Sequence, residues 1–208
     1  SLFEEKAKTV LVATGVHPRE LGVPGEKEFR NKGVSYCTVC DGPLFGGQVV
    51  ATIGGGNSAL ESAIMMAGIA SKVYLINKNP QFKGEKVLIE KVSSNPKAEI
   101  IYEAKTTAIK GDNFVSNLEY QDKSGETHKL EVKGIFVHIG QIPNSGFVSG
   151  VELDEVKQIK VNLRGETNIP GLYAAGDVTN IPYKQIVIAA GQGVTALLSA
   201  VDYLTSNH

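Results

Sequence analysis

The sequence predicts an α/β fold organised around a parallel sheet, and three stretches carry that prediction. Residues 48–76 read as strand, glycine turn, helix and strand, the β-α-β unit that normally builds parallel pairs. Short β-rich apolar runs at residues 8–15 and 135–139 are each closed by a glycine turn. Between residues 115 and 132, two β-rich runs flank Lys123-Ser124-Gly125-Glu126, which is an antiparallel hairpin signal.

Taken in order, Lys8 to Gly15 is a short buried strand, and the Pro- and Gly-rich link through His17-Pro18 and Pro24-Gly25 marks a change of domain. Gln48 to Ile53 is the next strand and Gly54 to Gly56 its turn. Ala59, Leu60, Ala63, Ile64 and Ala67 then mark one face of a helix ending near Gly68, with Ser58 and Glu61 in capping-box register. Lys72 to Ile76 is a strand, Glu85 to Val92 a helix and Glu99 to Tyr102 a strand. Val115 to Tyr120 and His128 to Val132 form the hairpin. Ile135 to Ile139 is a further buried strand, after which Gly140-Gln141-Ile142-Pro143-Asn144 hands the chain across a second boundary. The last block carries Gly171 to Asp177, and Pro182-Tyr183-Lys184-Gln185 opens a helix rich in small residues that runs toward Leu204.

A chain of 208 residues that is 42% hydrophobic can bury a sizeable core. Its formal net charge of -1 and the lack of a basic stripe argue against nucleic acid as a partner. No segment approaches roughly eighteen consecutive apolar residues, and the N-terminus has no secretory apolar region. The expected compartment is the cytoplasm, with no membrane contact. Thiols there are kept reduced, so a cysteine pair is catalytic or metal-binding before it is a structural staple.

The chemistry gathers in two places. Gly54-x-Gly56-x-x-Ala59 follows a strand and opens a helix, as dinucleotide binding requires. The first glycine allows a tight turn, the second lets backbone approach a pyrophosphate, and Asn57 and Ser58 lead into the helix, whose N-terminus supplies donors and partial positive charge. A ligand-free strand-helix turn is the alternative. The following strand ends Ile76-Asn77-Lys78-Asn79 with Lys83 beyond, offering no carboxylate for the ribose of NADH; Lys78 and Lys83 suit the 2'-phosphate of NADPH, or are simply solvated.

Cys37 and Cys40 are the only cysteines. Zinc prefers four ligands, and this chain has no second pair and only four scattered histidines, so no metal is expected unless a dimer shares a site. Disulfide exchange needs one exposed thiolate and a resolving thiol, which Cys-x-x-Cys supplies. Asp41 beside Cys40 could move a proton if the fold partly buries it, or could be an ordinary turn aspartate. His17, His128, His138 and His208 lie in no motif and read as strand, turn or terminal residues.

Ser35-Tyr36-Cys37-Thr38-Val39-Cys40-Asp41-Gly42 and the glycine loop behind it resemble the low-molecular-weight thioredoxin reductases and the flavoprotein component of alkyl hydroperoxide reductase. Asp41-Gly42-Pro43-Leu44-Phe45, Gly54 to Ser58, Thr195 to Leu204 and Pro182-Tyr183-Lys184-Gln185-Ile186 are more similar to the second branch. The resemblance implies a Rossmann-like three-layer nucleotide-binding domain, with a parallel sheet plus an antiparallel β-meander, inserted in a partial FAD-binding domain. Residues 16–142 would bind NAD(P)H and carry the redox pair; residues 1–15 and 143–208 would belong to the FAD domain.

The same resemblance implies that electrons pass from nicotinamide to FAD to the disulfide, then to a thioredoxin-like or glutaredoxin-like, peroxiredoxin-linked partner. It also implies a homodimer. Cys40 would engage the flavin, Cys37 would attack the partner disulfide, and Asp41 would be the general acid. Gly140 would sit at a domain crossing. Gly176 and Asp177 would hold the FAD ribityl and phosphate region, Gln185 would contact the flavin ring, and Lys184 and Ile186 would also bind the cofactor.

Two departures accompany it. The family's upstream Gly-x-Gly-x-x-Gly loop for FAD is missing and Ser1 is not a methionine, so the chain reads as a fragment, a processed product or a partner-dependent half. NADPH-using reductases carry His-Arg-Arg and a later Arg at the positions of Asn77, Lys78, Asn79 and Lys83, whereas NADH-using flavoproteins have a glutamate at the position of Asn77. NADPH is therefore preferred over NADH, with another donor as the remaining alternative. The rival from a different class is a nucleotide-binding fragment that holds no flavin.

Overall fold

The computed structural model describes residues 5–206; residues 1–4, at the start of the expected FAD-domain segment, and residues 207–208, including His208, lie outside them. The strands are β1 (Val10–Val12), β2 (Val16–Pro18), β3 (Val34–Ser35), β4 (Val49–Ile53), β5 (Lys72–Ile76), β6 (Ala98–Ile101), β7 (Lys105–Gly111), β8 (Val115–Gln121), β9 (Thr127–Glu131), β10 (Gly134–Val137), β11 (Gln141–Pro143) and β12 (Leu172–Ala174). The helices are α1 (Thr38–Asp41), α2 (Asn57–Ile69), α3 (Lys86–Ser93) and α4 (Ile186–Ser206). The chain divides into two compact units: Pro18–Gly140, and the segments on either side of it.

Pro18–Gly140 is a three-layer α/β unit. Its central sheet has the order β3-β10-β4-β5-β6 and every pairing in it is parallel. Side chains alternate across a strand with period two, and here both faces are covered. Val50, Val73, Leu75 and Phe136 point into one buried cluster with Leu60, Ala63 and Met66 of α2. Ala51, Ile53, Ile76, Ile135 and Val137 point into the other, with Ile109, Leu118 and Tyr120 of the antiparallel sheet β7-β8-β9. The apolar runs that lack strict alternation in sequence are therefore strands buried on both sides.

The strand order positions the site. After β6 the chain leaves the sheet to build the antiparallel layer, then returns as β10 between β3 and β4. Because these three strands are parallel, their C-terminal ends lie along one edge of the sheet, the edge at which α/β sheets form their ligand crevices. β3 leads to Cys37, β4 to Gly54 and β10 to His138.

In the other unit, β1 pairs in parallel with β12, and Val12, Ile159, Ala174 and Val178 form one small core. Tyr173, Ala175, Ala196 and Ala200 form a second, against α4. β2 pairs with β11.

Several expectations need correction. The expected capping box does not form: α2 starts at Asn57 with extended Gly56 as its N-cap and no side-chain cap bond, so Ser58 lies inside the first turn. The first strand is shorter than Lys8 to Gly15, and the hairpin is a three-stranded sheet because Lys105–Gly111 joins it. One helix among the described residues is long and apolar enough to cross a membrane by length and composition, α4. Gln192, Thr195, Ser199 and Asp202 interrupt it, so a count of unbroken apolar residues passes over it.

Candidate functional site

β3 delivers the chain to the cysteines, and its position is fixed from behind. Buried Glu26 accepts hydrogen bonds from Leu21 N at 2.8 Å, Gly22 N at 2.7 Å and the Tyr36 hydroxyl at 2.9 Å. Three donors compensate the burial of its carboxylate. Burial and the adjacent Glu26 push the Tyr36 hydroxyl pKa up, keeping it a donor. The Arg30 guanidinium lies 5.1 Å from the Tyr36 ring centre, a cation–π contact.

Cys37 and Cys40 form a disulfide across a single helical turn, with their Cα atoms 5.3 Å apart. Cys37 is half-buried and Cys40 exposed. Cys37 is also the N-cap of α1, its sulfur accepting from Cys40 N at 3.2 Å. Ser35 Oγ donates to Asp41 Oδ2 at 2.6 Å and accepts from Cys37 N at 3.1 Å, which holds the part-buried carboxylate beside the disulfide turn.

Thr38, between the cysteines, is buried. Its Oγ1 lies 2.6 Å from Ser62 Oγ of α2 and 2.8 Å from His138 Nε2, just past the end of β10. Desolvation lowers the His138 pKa to about 4, so the ring is neutral at pH 7. Ser35, Ser62 and His138 are the site residues that sequence reasoning misses. The one available signal is that His138 closes a parallel strand shortly before a glycine turn, where α/β sheets form their sites.

The glycine loop lies at the same sheet edge. Gly54 has φ +149°, and a Cβ there would lie 2.2 Å from the His138 carbonyl oxygen and 2.8 Å from the Cβ of buried Ala59. Only glycine fits, and only a small residue fits at 59. A Cβ at Gly56 would meet nothing within 4 Å, so backbone there is open to a ligand, as a pyrophosphate needs. The Asn57 side chain is committed to Glu85, donating to Oε1 at 3.0 Å and accepting from the backbone N at 2.8 Å, which leaves its main chain and exposed Ser58 at the open side.

At the end of β5, Asn77 is buried. Its amide donates to Gln81 O at 3.0 Å and accepts from Asn79 N at 3.1 Å, so neither end is free for a ribose. Lys78 and Lys83 are exposed, and Lys83 N donates to Gly55 O at 2.8 Å, placing it beside the loop. Gly140, with φ +108°, accepts from Arg19 N at 2.9 Å at the end of this unit.

The remaining predicted residues gather in the other unit. Gly176 has φ +75° and donates to Gln192 Oε1 at 2.9 Å. Asp177 is part-buried and its carboxylate accepts no hydrogen bond from the described residues, which leaves it available as an acceptor. Lys184 Nζ donates to Thr179 O at 2.6 Å, and burial pushes its pKa down. Gln185 precedes α4, its carbonyl accepting from Ala189 N, and Ile186 is exposed.

Asp122, Glu126 and His128 come close enough to share a cation, but Asp122 already accepts from Ser124 N, Ser124 Oγ and Glu126 N and lies 2.8 Å from His128 Nε2, closing the β8–β9 turn.

Residues 1–195 match the family described as pyridine nucleotide-disulphide oxidoreductase. A component of the alkyl hydroperoxide reductase of Escherichia coli is 50% identical over 202 residues, covering 96% of this chain and 39% of that protein. A protein named NADH dehydrogenase from Ferdinandcohnia aciditolerans is 48% identical over 204 residues, covering 97% of this chain and again 39% of the relative. The crystal structure of thioredoxin reductase from Streptococcus pyogenes superimposes with a TM-score of 0.91 at 36% identity, covering 95% of this chain and 66% of that one. The chain thus spans about two fifths of the length of the curated relatives it matches.

Proposed function

Since the chain belongs to the pyridine nucleotide-disulphide oxidoreductase family, we propose that it is the nucleotide-binding and disulfide-bearing part of a flavin-dependent protein-disulfide reductase. The observation that carries this reading is the Cys37–Cys40 disulfide on the same sheet edge as a glycine loop with open backbone at Gly56. Residues 16–142 are the nicotinamide domain in this proposal; residues 1–15 and 143–208 contribute to the flavin domain, where Gly176, Asp177, Lys184, Gln185 and Ile186 face the flavin. The whole enzyme is a cytoplasmic homodimer.

Bound FAD would take a hydride from the nicotinamide and supply two electrons to the disulfide. Cys40, the exposed cysteine, engages the flavin side, and Asp41, held by Ser35, supplies a proton as the disulfide opens. The thiolate of Cys37 then attacks a partner disulfide, forming a mixed disulfide and releasing one partner thiolate. Cys40 resolves it, so that two electrons and two protons leave with the partner dithiol. The partner carries a thioredoxin-like or glutaredoxin-like disulfide that feeds a peroxiredoxin. For the donor, exposed Lys78 and Lys83 and the absence of a free carboxylate at the end of β5 support NADPH; two relatives carry the name NADH dehydrogenase, and kcat/KM for the two donors decides.

The test is an absorption spectrum of the purified chain after incubation with FAD, followed by reduction of a thioredoxin-like disulfide. Flavin retention with turnover supports the reductase. Dinucleotide binding without flavin supports the second reading, a nucleotide-binding piece that needs the rest of its enzyme, which the 39% coverage of the relatives favours.

A further inference from the structure

Thr38 is the residue between the two cysteines that turns inward; Val39 is exposed. A buried threonine hydroxyl must find partners, and this one finds two on different elements, Ser62 of α2 and His138 after β10. Ser62 Oγ lies 3.4 Å from Thr52 Oγ1 of β4 behind it. His138 is anchored through its own backbone, whose N donates to Ile53 O at 2.8 Å, and its carbonyl is the atom that would collide with a Cβ at Gly54. The turn bearing the disulfide is thus pinned by a polar chain to the strand and helix that frame the glycine loop.

We infer that His138 and Ser62, acting through Thr38, are positioning residues that set the thiol–disulfide equilibrium of Cys37 and Cys40. The inference rests on the redox reading of that pair. A closed disulfide restrains the turn covalently, so the clamp adds little order to the oxidised state. In the dithiol the turn is held by noncovalent contacts alone, and the clamp on Thr38 joins the Ser35 bonds to Asp41 and Cys37 in keeping the sulfurs facing each other. Loosening it gives conformational freedom to the reduced state alone, lowering the effective concentration of one thiol at the other. In exchange with dithiothreitol, the Cys37–Cys40 bond breaks, both sulfurs gain a proton and the reagent closes to its cyclic disulfide. That equilibrium should move toward the protein dithiol when the clamp is lost.

The experiment is equilibration of the purified 208-residue chain in dithiothreitol buffers of graded ratio, acid quenching, thiol alkylation and mass determination, with thermal unfolding of each variant alongside. Thr38→Val keeps the side-chain shape and removes both hydrogen bonds. His138→Leu removes one, and Ser62→Ala the other. Each should shift the equilibrium toward dithiol by about three- to tenfold, the scale of one or two net hydrogen bonds. His138→Gln, which can still bond Thr38, should stay close to the parent. Thr38→Val combined with His138→Leu should shift it no further than Thr38→Val alone. Equilibria within twofold of the parent in variants that unfold cooperatively, or fully additive shifts, overturn the inference; Ser62→Ala keeps the test open if a His138 variant does not fold. A parent chain whose pair cannot be reversibly reduced overturns the redox reading instead.

Discussion

Gly54 and Gly56 stand two residues apart and answer to different demands. At Gly54 a Cβ would lie 2.2 Å from a backbone oxygen of the chain leaving a neighbouring strand, with φ +149°. Gly54→Ala should therefore lower unfolding free energy by about 3 kcal/mol or more, or prevent folding, as measured by denaturant titration. Gly56 has open space and extended backbone, so Gly56→Ala should melt within a few degrees of the parent while weakening dinucleotide binding at least about tenfold in calorimetry. Equal effects of both substitutions on stability would mean the loop is structural only. His138 makes a pH prediction at the same scale. Its pKa falls from the usual 6.5 to about 4 on folding, so between those values the unfolded chain binds more protons and stability declines as pH drops. The decline should be at most about 1.4 kcal/mol per pH unit, complete near pH 4, and absent from His138→Gln. A pH 5 to 7 stability series checks it.

The elements legible in sequence are those whose signals are local. β4, α2 and β5 follow from apolar runs, a glycine turn and helical spacing of Ala59, Leu60, Ala63 and Ala67. β7 is not legible because Lys105–Gly111 is mostly polar and small, and its strand character comes from pairing with β8. The start of α2 misleads because an extended glycine can serve as N-cap with no side chain to signal it. Cys37, Cys40 and Gly54 are visible as spacings, whereas His138 reaches Thr38 only because β10 inserts between β3 and β4, a long-range choice that no local window contains. The short β3 strand likewise depends on its surroundings. Tyr36→Phe leaves buried Glu26 with two of its three donors and should cost about 1–3 kcal/mol in denaturant unfolding. A loss below about 0.5 kcal/mol would mean water replaces the hydroxyl.

At the scale of the whole molecule, the two units differ in how they are assembled from the chain. Both large apolar clusters of Pro18–Gly140, one under α2 and one under the antiparallel sheet, are built entirely from residues within that span. The small cores of the other unit are not contiguous: Val12 packs with Ile159, Ala174 and Val178, so its first strand and its last third must meet across the intervening unit's sequence. A contiguous segment with self-contained cores needs no outside residue to exclude water from its sheet, and the glycine loop, the disulfide and the Thr38 clamp all lie inside it. Residues 18–140 expressed alone should therefore melt cooperatively, keep the Cys37–Cys40 disulfide and bind dinucleotide within about threefold of the longer chain, since unit boundaries fall where few contacts cross. Removing residues 1–12 from the longer chain should instead abolish the structure of the discontinuous unit while leaving dinucleotide binding in place. Calorimetry and dinucleotide titration on both variants decide the matter, and a non-cooperative, non-binding 18–140 segment would mean that the nucleotide site depends on the flanking unit.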